Sequence, residues 1–175
     1  MKKYILLLIG VVVFCSCQSA KDKQAKQIID LEKQTMRQAQ AISPQRADSL
    51  LTLYDNFIAK YPKDTLCARM LYNAADVAAN TKDCNRALAY LDKLMAQYPT
   101  SKLAMVGLLK EGMVFEQVCS NKEMAKKKYQ EYIQKYPKSK YANDAAIMLQ
   151  MLDMGDDAAM IREFEAKNAK DSTSK

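Results

Sequence analysis

From residue 44 onward the apolar positions form a stripe that repeats. Tyr61-Pro62, Tyr98-Pro99 and Tyr136-Pro137 recur at intervals of 37 and 38 residues. Four residues before each tyrosine stands a large apolar or aromatic residue: Phe57, Leu94 or Tyr132. Seven before stands Tyr54, Leu91 or Tyr129, and eleven before stands Leu50, Ala87 or Ala125. Spacing of i, i+4, i+7 and i+11 is one face of an α-helix. The proline ends it, since proline cannot continue the hydrogen-bond ladder. Three residues past each tyrosine comes Asp64, Ser101 or Ser139. A side-chain oxygen there can accept from an early N–H of the next helix. Small residues come after it, Ala68, Ala74 and Ala75, then Ala104, Gly107 and Gly112, then Ala142, Ala145 and Ala146. They let helix axes approach closely.

The pattern predicts an all-α chain of antiparallel helix pairs. The first pair is expected at about 23–41 and 44–60, with Ser43 as cap and Pro44 in the first turn. The others are expected at about 64–81 with 83–97, 101–118 with 121–135, and 139–153 with 156–168, Gly155 lying in the last turn. Residues 169–175 read as a disordered polar tail.

Composition agrees with helices and narrows the chemistry. With only four glycines and four prolines in 175 residues, breakers are scarce. There is no histidine, which removes the commonest general base and metal ligand. Ser-His-Asp, Cys-His and zincin-type mechanisms are thereby excluded, and no Gly-rich phosphate loop occurs. The expectation is a non-enzyme without catalytic site, metal or cofactor.

The N-terminus is of a different kind. Lys2 and Lys3 precede a short apolar run, Tyr4 to Val13, and then Phe14-Cys15-Ser16-Cys17. Charge, a short apolar core and a small residue before a cut describe a signal peptide. The segment resembles a bacterial lipoprotein signal, with Phe14 and Cys15 departing from its usual aliphatic and small residues. That resemblance implies cleavage after Ser16 and lipidation of Cys17. An ordinary cleaved signal is the alternative; the run falls short of the roughly 20 residues of a membrane span. Gln18 after Cys17, rather than Asp, implies an outer-membrane address by the enterobacterial sorting rule. The expected division is 1–16 signal, 17–22 lipidated tether, 23–168 helical domain and 169–175 tail. Losing Lys2 and Lys3 lowers the formal charge from +7 to near +5, suited to an anionic lipid surface or to solvated helix faces.

The repeat itself resembles the tetratricopeptide repeat (TPR) family. Ala75, Ala87, Leu91 and Pro99 stand at its consensus places in one repeat, and Gly112, Ala125, Tyr129 and Pro137 in the next. Leu50, Tyr54 and Pro62 close a degenerate first repeat. The period exceeds the usual ~34 residues, and Phe57, Leu94 and Tyr132 replace a small residue. Both departures resemble the longer variant of envelope proteins, with its Tyr-Pro-x-Ser-x-x-Ala signature at 136–142. Relatives of that kind include the TPR lipoprotein of the β-barrel assembly machinery and the TPR coordinator of the Tol-Pal system.

The resemblance implies a TPR-like α-solenoid of about three to four helix pairs that works by binding. Its first helices would line a groove with Arg69, Tyr72, Asp76 and Asn80, then Val106, Leu109, Met113 and Glu116. The Val-Leu-Met stripe suits either a partner's apolar residues or one of the chain's own terminal helices. In stacked hairpins Cys84 and Cys119 fall at the same end of adjacent units and form the possible disulfide, while Cys67 falls at the other end. Lysines 122, 126, 127, 128, 135, 138 and 140 read chiefly as a solvated face, with Lys127, Glu131 and Lys135 at four-residue spacing. Nucleic acid is not expected, because no aromatic-basic platform accompanies them. The functional expectation is a membrane-anchored scaffold for envelope proteins or peptides. A permanently docked subunit of an uptake or assembly complex is the alternative.

Overall fold

The computed structural model describes residues 20–35 and 42–155, and every regular element among them is helical. These residues form seven helices: α1 (20–35), α2 (Pro44–Lys60), α3 (Leu66–Asn80), α4 (Cys84–Gln97), α5 (Lys102–Gln117), α6 (Lys122–Lys135) and α7 (142–155). The signal segment, Cys17, the end of the first expected helix, the helix expected at 156–168 and the tail lie outside the described residues. The chain divides into two compact units, one ending at Leu94 and one starting at Met95.

One turn is built three times, and it sets where helices stop and start. Tyr61 and Tyr136 leave the helical conformation, with φ of −130° at both, as expected of a residue whose neighbour is proline. Their N–H groups still donate to the carbonyls of Phe57 and Tyr132, each at 2.8 Å. The chain then folds back, so that Asp64 N–H donates to Tyr61 O, Ser101 to Tyr98 O and Ser139 to Tyr136 O, at 2.9–3.0 Å. The side chains of the same three residues cap the start of the next helix. Asp64 Oδ1 accepts from Leu66 N at 2.9 Å, Ser101 Oγ from Leu103 N at 3.2 Å and Ser139 Oγ from Tyr141 N at 3.2 Å. Ser43 caps α2 in the expected way, with Pro44 in its first turn.

Helix α1 corrects the expected N-terminal boundary. It is already helical at residue 20, so the last part of the 17–22 tether belongs to the folded domain. The physical reason is Lys21, whose Nζ meets Asp64 Oδ2 at 2.7 Å. That contact lowers the Asp64 carboxyl pKa, with help from the Leu66 N–H.

All nine positions of the repeated stripe are at most 2% exposed: Leu50, Tyr54, Phe57, Ala87, Leu91, Leu94, Ala125, Tyr129 and Tyr132. Burying one of the larger side chains contributes about 1.5–3 kcal/mol. In the first unit α2 packs on α3, which is buried on several sides through Cys67, Met70, Leu71, Ala74, Ala75 and Ala78. Cys67 is a reduced thiol that donates to Tyr61 O at 3.2 Å. In the second unit α5 packs on α6. Leu108, Leu109, Ala125, Tyr129, Tyr132, Ala145 and Leu152 form its apolar cluster. Of the small residues expected to be covered in α7, Ala145 is buried, Ala142 is half-buried and Ala146 is exposed. The same helix turns Ile147, Met151 and Met154 outward, at 46%, 66% and 60% exposure.

Candidate interaction site

The face expected to bind in the first unit lies on α3. Arg69 does not project from it. Its Nη1 donates to Glu32 Oε2 at 2.9 Å. Glu32, on α1, is only 4% exposed. Its other oxygen accepts from Tyr54 Oη at 2.8 Å and Asn73 Nδ2 at 3.0 Å. A carboxylate taken from water needs such partners, and here they come from α2 and α3. Glu32 therefore holds three helices together, and Arg69 is spent on positioning α1. Burial, then the Glu32 carboxylate, push the Tyr54 phenol well above its ordinary value.

Above this network is a cavity of about 110 Å³. Leu50, Tyr54 and Val77 give it an apolar wall, while Asn73, Asp76 and Asn80 give it polar groups from successive turns of α3. Asp76 and Asn80 both line this cavity, and Asn80 Nδ2 donates to Asp76 O at 2.9 Å. Tyr72 is half-buried on the same helix.

The second unit uses its expected residues differently. Val106 is half-buried. Leu109 is 5% exposed inside the apolar cluster, and Met113 packs against that cluster, so the stripe largely serves the unit's own core. Helix α5 is apolar on more than one side, so the sequence alone did not separate its inner face from its outer one. Glu116 accepts from Tyr129 Oη at 2.6 Å. Burial, then Glu116, raise the Tyr129 pKa.

One pairing of this unit leaves no clear mark in the sequence pattern. Glu111 is 2% exposed, and Lys128 Nζ meets its Oε2 at 2.8 Å. Burial pulls the Lys128 pKa down, but Glu111 and then Glu131 outweigh it and the net shift is upward. Gly112, one of the small residues expected to allow close approach, lies against Tyr129, so that a Cβ placed on it would overlap the Cε1 edge of the ring. The lysines of this unit are largely engaged, Lys126 with Asp153 at 2.9 Å and Lys128 with Glu131 at 3.5 Å. Lys135 and Lys140 lie over the rings of Tyr136 and Tyr141.

Comparison with known proteins gives one match of kind. The tetratricopeptide repeat matches residues 69–101 and 107–139. The first match runs from α3 through α4 to the capping Ser101, the second from α5 through α6 to the capping Ser139. No curated protein matches the chain. The described residues are all-α and TPR-like, and two segments of the chain match the tetratricopeptide repeat, a unit that serves as a scaffold for contacts between proteins.

Proposed function

We propose that this protein is a lipid-anchored, non-enzymatic TPR scaffold of a bacterial cell envelope, holding other envelope proteins or peptides in outer-membrane assembly or maintenance. The observation that carries the reading is the pair of matched repeats behind a Lys-Lys, apolar, Phe-Cys-Ser-Cys N-terminus. Resemblance of the Tyr-Pro-x-Ser turns to those of the assembly-machinery lipoprotein and the Tol-Pal coordinator supports the envelope setting. Tyr72, Asp76 and Asn80 on α3 are the contact residues of the first unit, and half-buried Val106 on α5 is that of the second. A photo-crosslinking amino acid at Asn80 in living cells is expected to capture a discrete envelope protein, and the same group at exposed Lys127 is not. Equal capture at both positions, or none at either, overturns the reading.

The outward apolar strip of α7 favours a second reading, a permanently docked accessory subunit. A protein with Cys17 replaced by serine is expected to be a soluble monomer if it is a freely exchanging scaffold. Aggregation, or loss from cells lacking its partner, points to the docked subunit.

The proposed architecture includes a Cys84–Cys119 disulfide. Cys84 opens α4 and Cys119 comes just after α5. Thiol titration of the denatured, lipidated protein is then expected to detect Cys67 alone. Three reactive thiols would exclude the bridge.

A further inference from the structure

We infer that the turn at 61–64 is a membrane-facing surface that lays one end of the first unit on anionic phospholipid headgroups. The inference rests on the proposed lipidation of Cys17. Cys17 lies four residues before Lys21, a reach of at most about 14 Å whatever the conformation of the intervening chain. Lys21 is in turn fixed to the turn, its Nζ 2.7 Å from Asp64 Oδ2. Lys21, Tyr61, Pro62, Lys63 and Asp64 line one shallow surface depression. No long polar leash separates anchor from domain, because α1 is already helical at residue 20.

The chemistry of this surface suits headgroups. Lys60 and Lys63 flank the tyrosine and proline and are exposed. The carboxylate of Asp64 is taken up by Lys21, so it does not cancel them. Exposed Asp22 opposes them and exposed Lys23 offsets it. Lys60 Nζ sits 5.4 Å from the Tyr61 ring centroid, and that ring packs against Phe57 at 5.0 Å. A tyrosine with an apolar body, a polar tip and neighbouring lysines is a common interfacial arrangement. The equivalent turns at Tyr98 and Tyr136 have the same backbone but no anchor near them in the chain. The consequence is a fixed orientation. Helix α3 leads away from the turn for 15 residues, about 22 Å at 1.5 Å per residue, carrying Asp76 and Asn80 away from the headgroups.

The protein has no tryptophan, so single tryptophans report position cleanly. The full lipoprotein carrying Tyr61→Trp is reconstituted into phosphatidylcholine vesicles with and without phosphatidylglycerol, together with lipid spin-labelled at the headgroup. A second protein carries Asn85→Trp near the start of α4. Quenching at residue 61 is expected to exceed that at residue 85 at least twofold, to rise with phosphatidylglycerol, and to fall with added salt. Each of Lys60→Gln and Lys63→Gln is expected to weaken headgroup contact about fivefold. Equal quenching at the two positions, or quenching indifferent to phosphatidylglycerol, overturns the membrane-facing turn while leaving the anchor intact. The intact mass of the same sample reads the anchor separately, and an unmodified Cys17 overturns both.

Discussion

Gly112→Ala is expected to cost the second unit about 3 kcal/mol, at the upper end for overpacking a filled core. The added methyl would overlap the Cδ1–Cε1 edge of the Tyr129 ring. That ring is fully buried and its hydroxyl is held by Glu116 at 2.6 Å, so it has no room to withdraw. For a unit of this size the loss lowers the thermal midpoint by roughly 10–20 °C, measurable by circular dichroism. The first repeat suggests the remedy. Where the repeat at 107–139 has Gly112 with Tyr129, the one at 69–101 has Ala75 with Leu91. Tyr129→Leu costs stability alone, but combined with Gly112→Ala it is expected to cost clearly less than the two single changes together. A Gly112→Ala protein within about 0.5 kcal/mol of the parent, or strictly additive changes, would show that the contact does not constrain the unit.

Glu32→Ala is expected to destabilise the first unit by about 3 kcal/mol, the lower end for breaking a buried ion pair, since Arg69 keeps partial access to water. Three donors lose one acceptor at once: Tyr54 Oη, Arg69 Nη1 and Asn73 Nδ2. Helix α1 also loses its polar tie to α2 and α3, so proteolysis should reach it before the rest of the unit. Removing the whole network with Glu32→Leu, Tyr54→Phe and Arg69→Met is expected to recover much of the loss. The urea midpoint is the readout. A single change that leaves the midpoint in place would mean that α1 is held by Ala25, Ile28 and the Lys21–Asp64 pair without need of the network.

The sequence made the second helices far more legible than the binding face. The Tyr-Pro period located nine buried positions and three caps because one physical rule governs each: a helix face must be covered, and a proline must stop it. Glu32 was not legible. It stands where Ala25, Ile28 and Thr35 define the buried side of α1, yet its satisfaction depends on Tyr54, Arg69 and Asn73, up to 41 residues away. A charged residue on an inward stripe was the available signal. Arg69 looked like a groove residue because its place in α3 is a groove place, and only α1 reveals that its guanidinium is taken by Glu32. Leu109 illustrates the opposite difficulty, since α5 offers apolar residues on several sides and periodicity alone does not choose among them.

The differing partners of Gly112 and Ala75 bear on how such a chain can change over generations. Repeats joined by identical turns invite exchange of whole segments between copies. An exchange within a pair, joining α3 to α6, would set Ala75 where only a hydrogen atom fits beside Tyr129. The heritable module is therefore the matched pair of helices. Viable crossovers are expected at the Tyr-Pro turns, where one copy's ending can be traded for another's at little cost, and not at the links inside each pair.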